Sequence, residues 1–217
     1  MNPIKALTSG EFTKDDIGKT VYLSNSVSPC QEWRIADVNH DDTVGTVDLW
    51  PKYFLENKGR LLTISDPYRA YYEKSSIRQW LNADLLNGFT DEVQNAMVIS
   101  IFKAGLVELQ DKVKCPSLTE IGANRTEYNI YDDFVNASGT IYPLFGSTQY
   151  YYANIDISYV DGKIGDTQTF YTRDPYTSGY DKGLCCTGAL RHGATGICLA
   201  SGSPKYLAVG FIRFGKK

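Results

Sequence analysis

Two apolar stretches near the C-terminus, each carrying a single arginine, most constrain how this chain can fold. Residues 170–176 place Arg173 between two aromatic residues and Pro175, and residues 209–214 carry Arg213. Aromatic and β-branched residues favour strands, and proline ends a strand because it has no N–H to donate. An arginine among such hydrophobes is expected to pin a turn or a neighbouring strand through several hydrogen bonds. We therefore predict a β core in which Arg173 and Arg213 are structural.

The order of the predicted elements indicates an α+β fold. A helix is predicted from a serine cap at Ser75 or Ser76 to Asn87, a second one follows Thr90, and Ser117 with Glu120 has the spacing of a capping box. Strands are predicted at residues 20–23, 32–38, 44–50, 167–172, 184–190, 196–200 and 206–214. Strands, then helices, then a loop-rich β half is a segregated order rather than an alternating one.

Charge and hydropathy exclude several classes of protein. The 217 residues carry a net charge of −3, whereas a nucleic-acid-binding protein usually has a basic excess. No stretch approaches the roughly 20 apolar residues that cross a bilayer, so membrane insertion is not expected. The first ten residues lack the apolar segment of a secretion signal.

Tyrosine is the residue type that stands out, with 16 copies that are concentrated late in the chain. Tyrosine provides a rigid amphipathic ring at low entropic cost and is therefore favoured on recognition surfaces. The candidate ligand-binding residues are Tyr150, Tyr151, Tyr152, Tyr176 and Tyr180. The alternative is that these tyrosines are half-buried strand residues with their hydroxyls at the surface.

The cysteines and histidines give little indication of a cofactor. The five cysteines are an odd number without Cys-x-x-Cys spacing, and the two histidines are not at ligand spacing for zinc. We expect reduced, buried thiols and no cofactor. Because His40 lies in an acidic turn and His192 in a glycine-rich one, both are expected to be solvated rather than catalytic, and no enzyme is predicted.

One acidic segment invites a calcium interpretation. Asp37, Asn39, Asp41 and Asp48 fall at positions 1, 3, 5 and 12 of an EF-hand-like spacing. However, Asp42 occupies the sixth position, where the sharp turn favours glycine, and the flanking sequence is strand-like. A polar hairpin turn is the favoured interpretation, and calcium binding is the alternative.

Several motifs occur in the order seen in a known family. They are Trp33-Arg34-Ile35, residues 75–82 (Ser-Ser-Ile-Arg-Gln-Trp-Leu-Asn), residues 113–122, residues 170–176 and residues 210–214. Together they resemble an uncharacterised domain family of bacterial and phage genomes with a Trp-x-Arg-Ser-Pro-type signature. That family is similar in turn to the C-type-lectin-like fold of phage tropism determinants and formylglycine-generating enzymes. Asp174 stands where that family usually has serine, and Phe214 replaces its final proline.

The resemblance implies a C-type-lectin-like domain over residues 31–217, with two or three short helices, antiparallel strands and long irregular loops. Residues 1–30 would form an N-terminal docking segment. The structural motif residues would be Trp33, Trp80, Phe170, Tyr171, Arg173, Pro175 and Arg213, with the aromatic ones in the core.

The expected function is that of a phage virion protein, made in the host cytoplasm and oligomeric in the particle. It would bind other virion proteins and, through its Tyr/Asn/Gly-rich loops, a polymer or protein of the host surface. The alternative is a capsid or tail decoration protein that contacts only neighbouring virion proteins.

Overall fold

The computed structural model describes residues 2–56, 72–122, 139–146, 169–175, 184–188, 197–199 and 207–216. Within these residues the helices are α1 (Pro3–Ser9), α2 (Ser76–Trp80) and α3 (Asp91–Ala96). The strands are β1 (Thr20–Tyr22), β2 (Glu32–Val38), β3 (Thr46–Pro51), β4 (Ser100–Ala104), β5 (Val107–Asp111), β6 (Val113–Lys114), β7 (Thr169–Pro175), β8 (Leu184–Gly188), β9 (Ile197–Leu199) and β10 (Phe211–Gly215). Short helices and antiparallel strands confirm the predicted α+β class.

The two predicted helices begin at their predicted caps, whereas α1 was not predicted. The Ser75 side chain accepts a hydrogen bond from the amide of Arg78 at 3.1 Å, and Thr90 caps α3 in the same way. The helix that follows Ser75 is not a regular α-helix throughout, because a π-helical turn (Leu81–Leu85) follows α2 directly. In that turn the Asn82 amide exchanges two hydrogen bonds with the backbone of Val113, which ties the helix to β6.

An antiparallel five-stranded sheet in the order β1-β2-β3-β10-β6 forms the centre of the described fold. The final strand, β10, pairs with β3 on one side and with β6 on the other. Strands β4 and β5 form a separate hairpin, and β7, β8 and β9 form a three-stranded sheet. Phe170 of β7 also makes an isolated parallel bridge with Leu207, next to the start of β10.

The two faces of the central sheet are covered by two separate hydrophobic clusters. On one face the side chains of Trp33, Leu49 and Phe214 join a large core with all three helices and the β4–β5 hairpin. On the other face, Trp50 and Phe211 pack under residues 118–121, residues 142–145 and Phe170. Burial on both faces accounts for the fully buried pattern of β3 and β10.

A β-bulge in β2 adjusts which side chains reach the second face. The register shifts between Ile35, which pairs with Leu49, and Asp37, which pairs with Asp48. The extra residue interrupts the alternation of sides. As a result Asp37 lies opposite Asp48, which in turn lies opposite Arg213 on β10.

Residues 2–30 are packed into this fold. Ile4 and Leu7 of α1 belong to the large core, and β1 is hydrogen bonded to β2 across the predicted boundary at residue 30. Cys30 at that boundary is itself fully buried. A docking role for residues 1–30 stays a prediction, but residues 2–30 also contribute to the core and to the sheet.

Replacing Leu7 with alanine should lower the free energy of unfolding by about 3 kcal/mol, because the side chain is fully buried and its removal leaves a cavity. Lys5→Ala on the exposed side of α1 is the matched control and should change stability little. Urea denaturation measures both variants. Equal stability of the two would show that the N-terminal segment does not support the core.

Candidate functional site

A buried ionic cluster lies between β7, β6 and the turn that follows β6. We call it the Arg173 cluster, and it consists of Lys114, Glu120 and Arg173. The guanidinium of Arg173 donates from Nη1 to Glu120 Oε2 at 2.5 Å and from Nη2 to Glu120 Oε1 at 2.8 Å. The ammonium of Lys114 donates to Oε1 of the same carboxylate at 2.8 Å. At most 3% of any of these residues is exposed, so three charged side chains are buried together.

Bonds within the local turn also hold Glu120, apart from its contacts with Arg173. The amide of Glu120 donates to Ser117 Oγ at 3.1 Å, and the amide of Ser117 donates to Glu120 Oε2 at 3.0 Å. These reciprocal bonds are the predicted capping box. The carboxylate therefore serves as a turn cap and as the counter-charge of two cations.

Arg173 also binds backbone carbonyls of two neighbouring segments. Its Nε donates to the carbonyl of Lys103 on β4 at 2.9 Å, and its Nη1 donates to the carbonyl of Cys115 at 2.7 Å. The guanidinium lies 4.9 Å from the ring centre of Phe102. The predicted structural role of this arginine, pinning neighbouring strands and turns, matches these contacts.

The charges of the cluster keep Glu120 ionised. Burial raises the pKa of Glu120, but Arg173 and Lys114 outweigh burial and lower it from 4.5 to about 2. Burial likewise lowers the pKa of Arg173, and the Glu120 carboxylate outweighs that effect and raises it. Asp174, which accepts a hydrogen bond from the amide of Leu118 at 2.6 Å, adds a second carboxylate nearby. The Asp in place of the expected serine thus holds the start of the 117–120 turn.

The Arg173 cluster fixes chain positions that border three tyrosine-containing segments. Glu120 precedes residues 123–138, and Arg173 precedes residues 176–183. Tyr142, between residues 123–138 and residues 147–168, donates its amide to the carbonyl of Glu120 at 3.0 Å, and Lys114 Nζ lies 5.2 Å from its ring centre. Each of the three segments is therefore bordered, on at least one side, by residues that this buried group of charges holds.

Gly139 closely approaches Glu120 of this cluster. Its φ of +103° is unfavourable for residues with side chains, and a Cβ built there would lie 2.9 Å from Glu120 Cγ. Glycine at this position therefore allows the chain to return against the Glu120 side chain.

The structure places the other predicted residues in two groups. Trp33, Trp80, Phe170 and Tyr171 are buried, as expected for core residues, and Pro175 is the last residue of β7. The five candidate ligand-binding tyrosines, Tyr150, Tyr151, Tyr152, Tyr176 and Tyr180, lie outside the described residues.

The residues of the calcium interpretation are engaged by protein partners. Asp48 is bound by Arg213 through two hydrogen bonds of 2.8 Å, and both side chains are buried. Asn39 Oδ1 accepts from the amide of Gly45 at 2.7 Å, and Asp37 is bonded to Lys14. In the described part of the chain, no three His, Cys, Asp or Glu side chains are grouped as ligands of a metal ion. The spacing of an EF-hand is therefore present without its geometry.

His40 is not the solvated loop residue that its acidic surroundings predict. It is 2% exposed, and its ring stacks on that of Tyr142 with 3.7 Å between ring centres. Its Nδ1 lies 2.8 Å from Asp37 Oδ2. The turn is built by positive φ angles at Asn39, Asp41 and Asp42, which return the imidazole to the sheet. Tyr142 is far away in the sequence, so no local pattern could have indicated this burial.

The two cysteines whose side chains are described are poor nucleophiles. Burial raises the pKa of Cys30 to about 11 and also raises that of Cys115. Each thiol donates to a backbone carbonyl, Cys30 to Glu32 and Cys115 to Tyr171. Nucleophilic cysteines need the opposite shift, toward the thiolate.

A comparison with protein families matches residues 52–197 to a domain of unknown function (DUF6273). The chain belongs to this family. No curated protein and no solved structure matches the chain. The whole Arg173 cluster lies inside the DUF6273 match, whereas β1, β2, β3 and β10 lie outside it. None of the described helices of this DUF6273 protein is long and apolar enough to cross a membrane.

Replacing Glu120 with glutamine should lower the free energy of unfolding by about 3–5 kcal/mol, since Arg173 and Lys114 would stay buried without their counter-charge. Glu108→Gln is the control, because it makes the same chemical change on an exposed strand position. Chemical denaturation of both variants at neutral pH measures the effect. A loss no larger than that of Glu108→Gln would refute the role given to Glu120.

The same carboxylate should make stability depend on pH under acid conditions. Because the folded-state pKa of Glu120 is about 2 against 4.5 for the free group, its contribution is complete above about pH 4.5. It is lost as the pH falls toward about 2, where the folded state also becomes protonated. The unfolding free energy of Glu120→Gln should therefore fall less steeply than that of the natural protein over this range. Parallel pH profiles would contradict the assignment.

Proposed function

We propose that this DUF6273 protein is a non-enzymatic binding module on the surface of a phage virion, with a C-type-lectin-like domain. The observation that carries the proposal is that the Arg173 cluster holds residues which border three tyrosine-containing segments. Such an arrangement fits a scaffold that presents recognition segments from fixed points. Function then resides in what those segments contact, and the buried charges hold the residues that border them.

The composition of these segments supports a recognition role. Tyr150, Tyr151 and Tyr152 stand in one run, and Tyr176 and Tyr180 follow the end of β7. Tyrosine rings stack on sugar rings and apolar side chains, while their hydroxyls form hydrogen bonds. We infer a polymer or protein of the host-cell surface as the ligand.

The buried ion pairs of the Arg173 cluster and of Asp48 with Arg213 favour a supporting role over catalysis. Arg173, Glu120 and Lys114 satisfy one another, and Asp48 and Arg213 form a closed pair. A catalytic group must instead reach a substrate with part of its bonding capacity still open. These buried charges are arranged as supports.

A decoration role is the second candidate, and an exposed apolar surface on the β4–β5 hairpin favours it. Ile101 is 64% exposed and Leu106 at the hairpin turn is 85% exposed. Ile99 and Val107 in the same part of the chain are also exposed. Exposed apolar groups can mark contacts with other proteins. Neighbouring virion proteins are the partners that this surface would suit.

Replacing Tyr150, Tyr151 and Tyr152 together with alanine should weaken attachment to host cells by roughly 30-fold, which corresponds to about 2 kcal/mol for the loss of aromatic anchors. Tyr22→Ala is the matched control, since Tyr22 is an exposed tyrosine on β1. The measurement is binding of the purified, fluorescently labelled chain to host cells.

The decoration candidate makes the opposite forecast for the same variants. Attachment would not depend on the tyrosine run, and a Leu106→Ser, Ile101→Ser double variant would instead fail to enter particles. Counting copies in purified particles separates the two candidates, because a decoration protein is present in hundreds and an attachment protein in a handful. Particles that lack the chain altogether would refute both.

A further inference from the structure

The imidazole of His40 has one nitrogen that nothing in the described residues satisfies. The side chain is 2% exposed, and Nε2 is buried without a hydrogen-bond partner among those residues. A charged atom, Asp41 Oδ2, lies 3.5 Å from Nε2, which is too long for a hydrogen bond. A buried polar nitrogen without a partner destabilises the folded state unless another group binds to it.

The other ring nitrogen determines what Nε2 can do. Nδ1 lies 2.8 Å from Asp37 Oδ2, and Asp37 also accepts from the amide of Val38 at 2.7 Å and from Lys14. An ionised carboxylate only accepts, so Nδ1 carries the proton. In the neutral ring, Nε2 then carries a lone pair, and an oxygen of a second carboxylate, Asp41 Oδ2, lies 3.5 Å from it. Two acceptors that face each other repel unless a cation lies between them.

Nearby cations already pair with Asp37 and Asp48, whereas the partner described for Asp41 is a neutral hydroxyl. Asp37 is paired with Lys14, and Asp48 is paired with Arg213. Asp41 is bonded through its other oxygen to the neutral hydroxyl of Thr140. The adjacent Asp42 adds another negative charge to the same turn.

We propose that His40 Nε2 and Asp41 Oδ2 are ligands of a divalent transition-metal ion of the zinc class. Zinc–ligand distances of about 2.0–2.2 Å and a tetrahedral angle place two ligand atoms about 3.3–3.6 Å apart. The 3.5 Å between these two atoms agrees with that spacing. An imidazole nitrogen beside one carboxylate selects zinc-class ions over calcium, which prefers sites built from oxygen alone.

The surroundings of His40 are those of a metal-binding histidine. Ligating histidines usually donate their second ring N–H to a carboxylate, which fixes the tautomer and the ring orientation. Asp37 has that position, and the stack with Tyr142 further restrains the ring. Two protein ligands leave the remaining positions to water, so the affinity is lower than that of a structural site with three or four protein ligands.

Isothermal titration of the full chain with zinc chloride tests the proposal. We expect one site in the natural protein, its loss in His40→Gln and in Asp41→Asn, and an affinity drop of about tenfold in Asp37→Asn. Asp42→Asn removes the same charge as Asp41→Asn from the adjacent residue, and it should retain the site. His192→Gln is the second control, because His192 is the other histidine of the chain. Binding that depends on His192 and not on His40 would overturn the proposal.

A measurement on the unmodified protein covers the case in which His40→Gln does not fold. Nitrogen-15 spectra of the two imidazoles report the state of each ring nitrogen. Zinc should shift the Nε2 resonance of His40, while calcium should leave it unchanged. An Nε2 that is already protonated without metal, and is unaffected by zinc, would overturn the proposal, because a proton would then satisfy the nitrogen.

Discussion

The bidentate pair between Arg173 and Glu120 is the interaction on which much of the second sheet face depends. It connects β7 to the turn after β6, and through the carbonyls of Lys103 and Cys115 it also connects β4 and the end of β6. A buried ion pair is no guarantee of stability, because each charge must first lose its hydration. Here the desolvation is offset by Lys114, by backbone donors and acceptors, and by the ring of Phe102. The pair restricts β7, β4, the end of β6 and the turn after β6 to one arrangement.

Sequence patterns were sufficient wherever structure is decided by near neighbours. The caps at Ser75 and Thr90 and the reciprocal box at Ser117 involve residues three positions apart, and all were predictable. Burial of Arg173 and Arg213 also followed from their apolar neighbours. Their partners did not, because Asp48 and Arg213 are 165 residues apart and meet only through the sheet register.

The acidic turn is a region where local sequence patterns were not sufficient. Its spacing predicts either an EF-hand-like loop or a polar hairpin turn. Strands β2 and β3 do form a hairpin around this turn, but neither prediction includes the buried imidazole between Asp37 and Asp41. The bulge in β2 decides the outcome, since it places Asp37 on the same face as Asp48 and within reach of His40. A one-residue change of register leaves no signature in composition or periodicity.

The position of β10 has a consequence for how the protein folds. The strand that lies between β3 and β6 follows both of them in the sequence, and it brings the counter-charge for Asp48. Until it pairs, β3 has an open edge and a carboxylate without its arginine. Pairing over such a long separation is slow, because a large loop must close before any contact compensates for it. We therefore expect the central sheet to close late in folding, with the edge of β3 exposed until then.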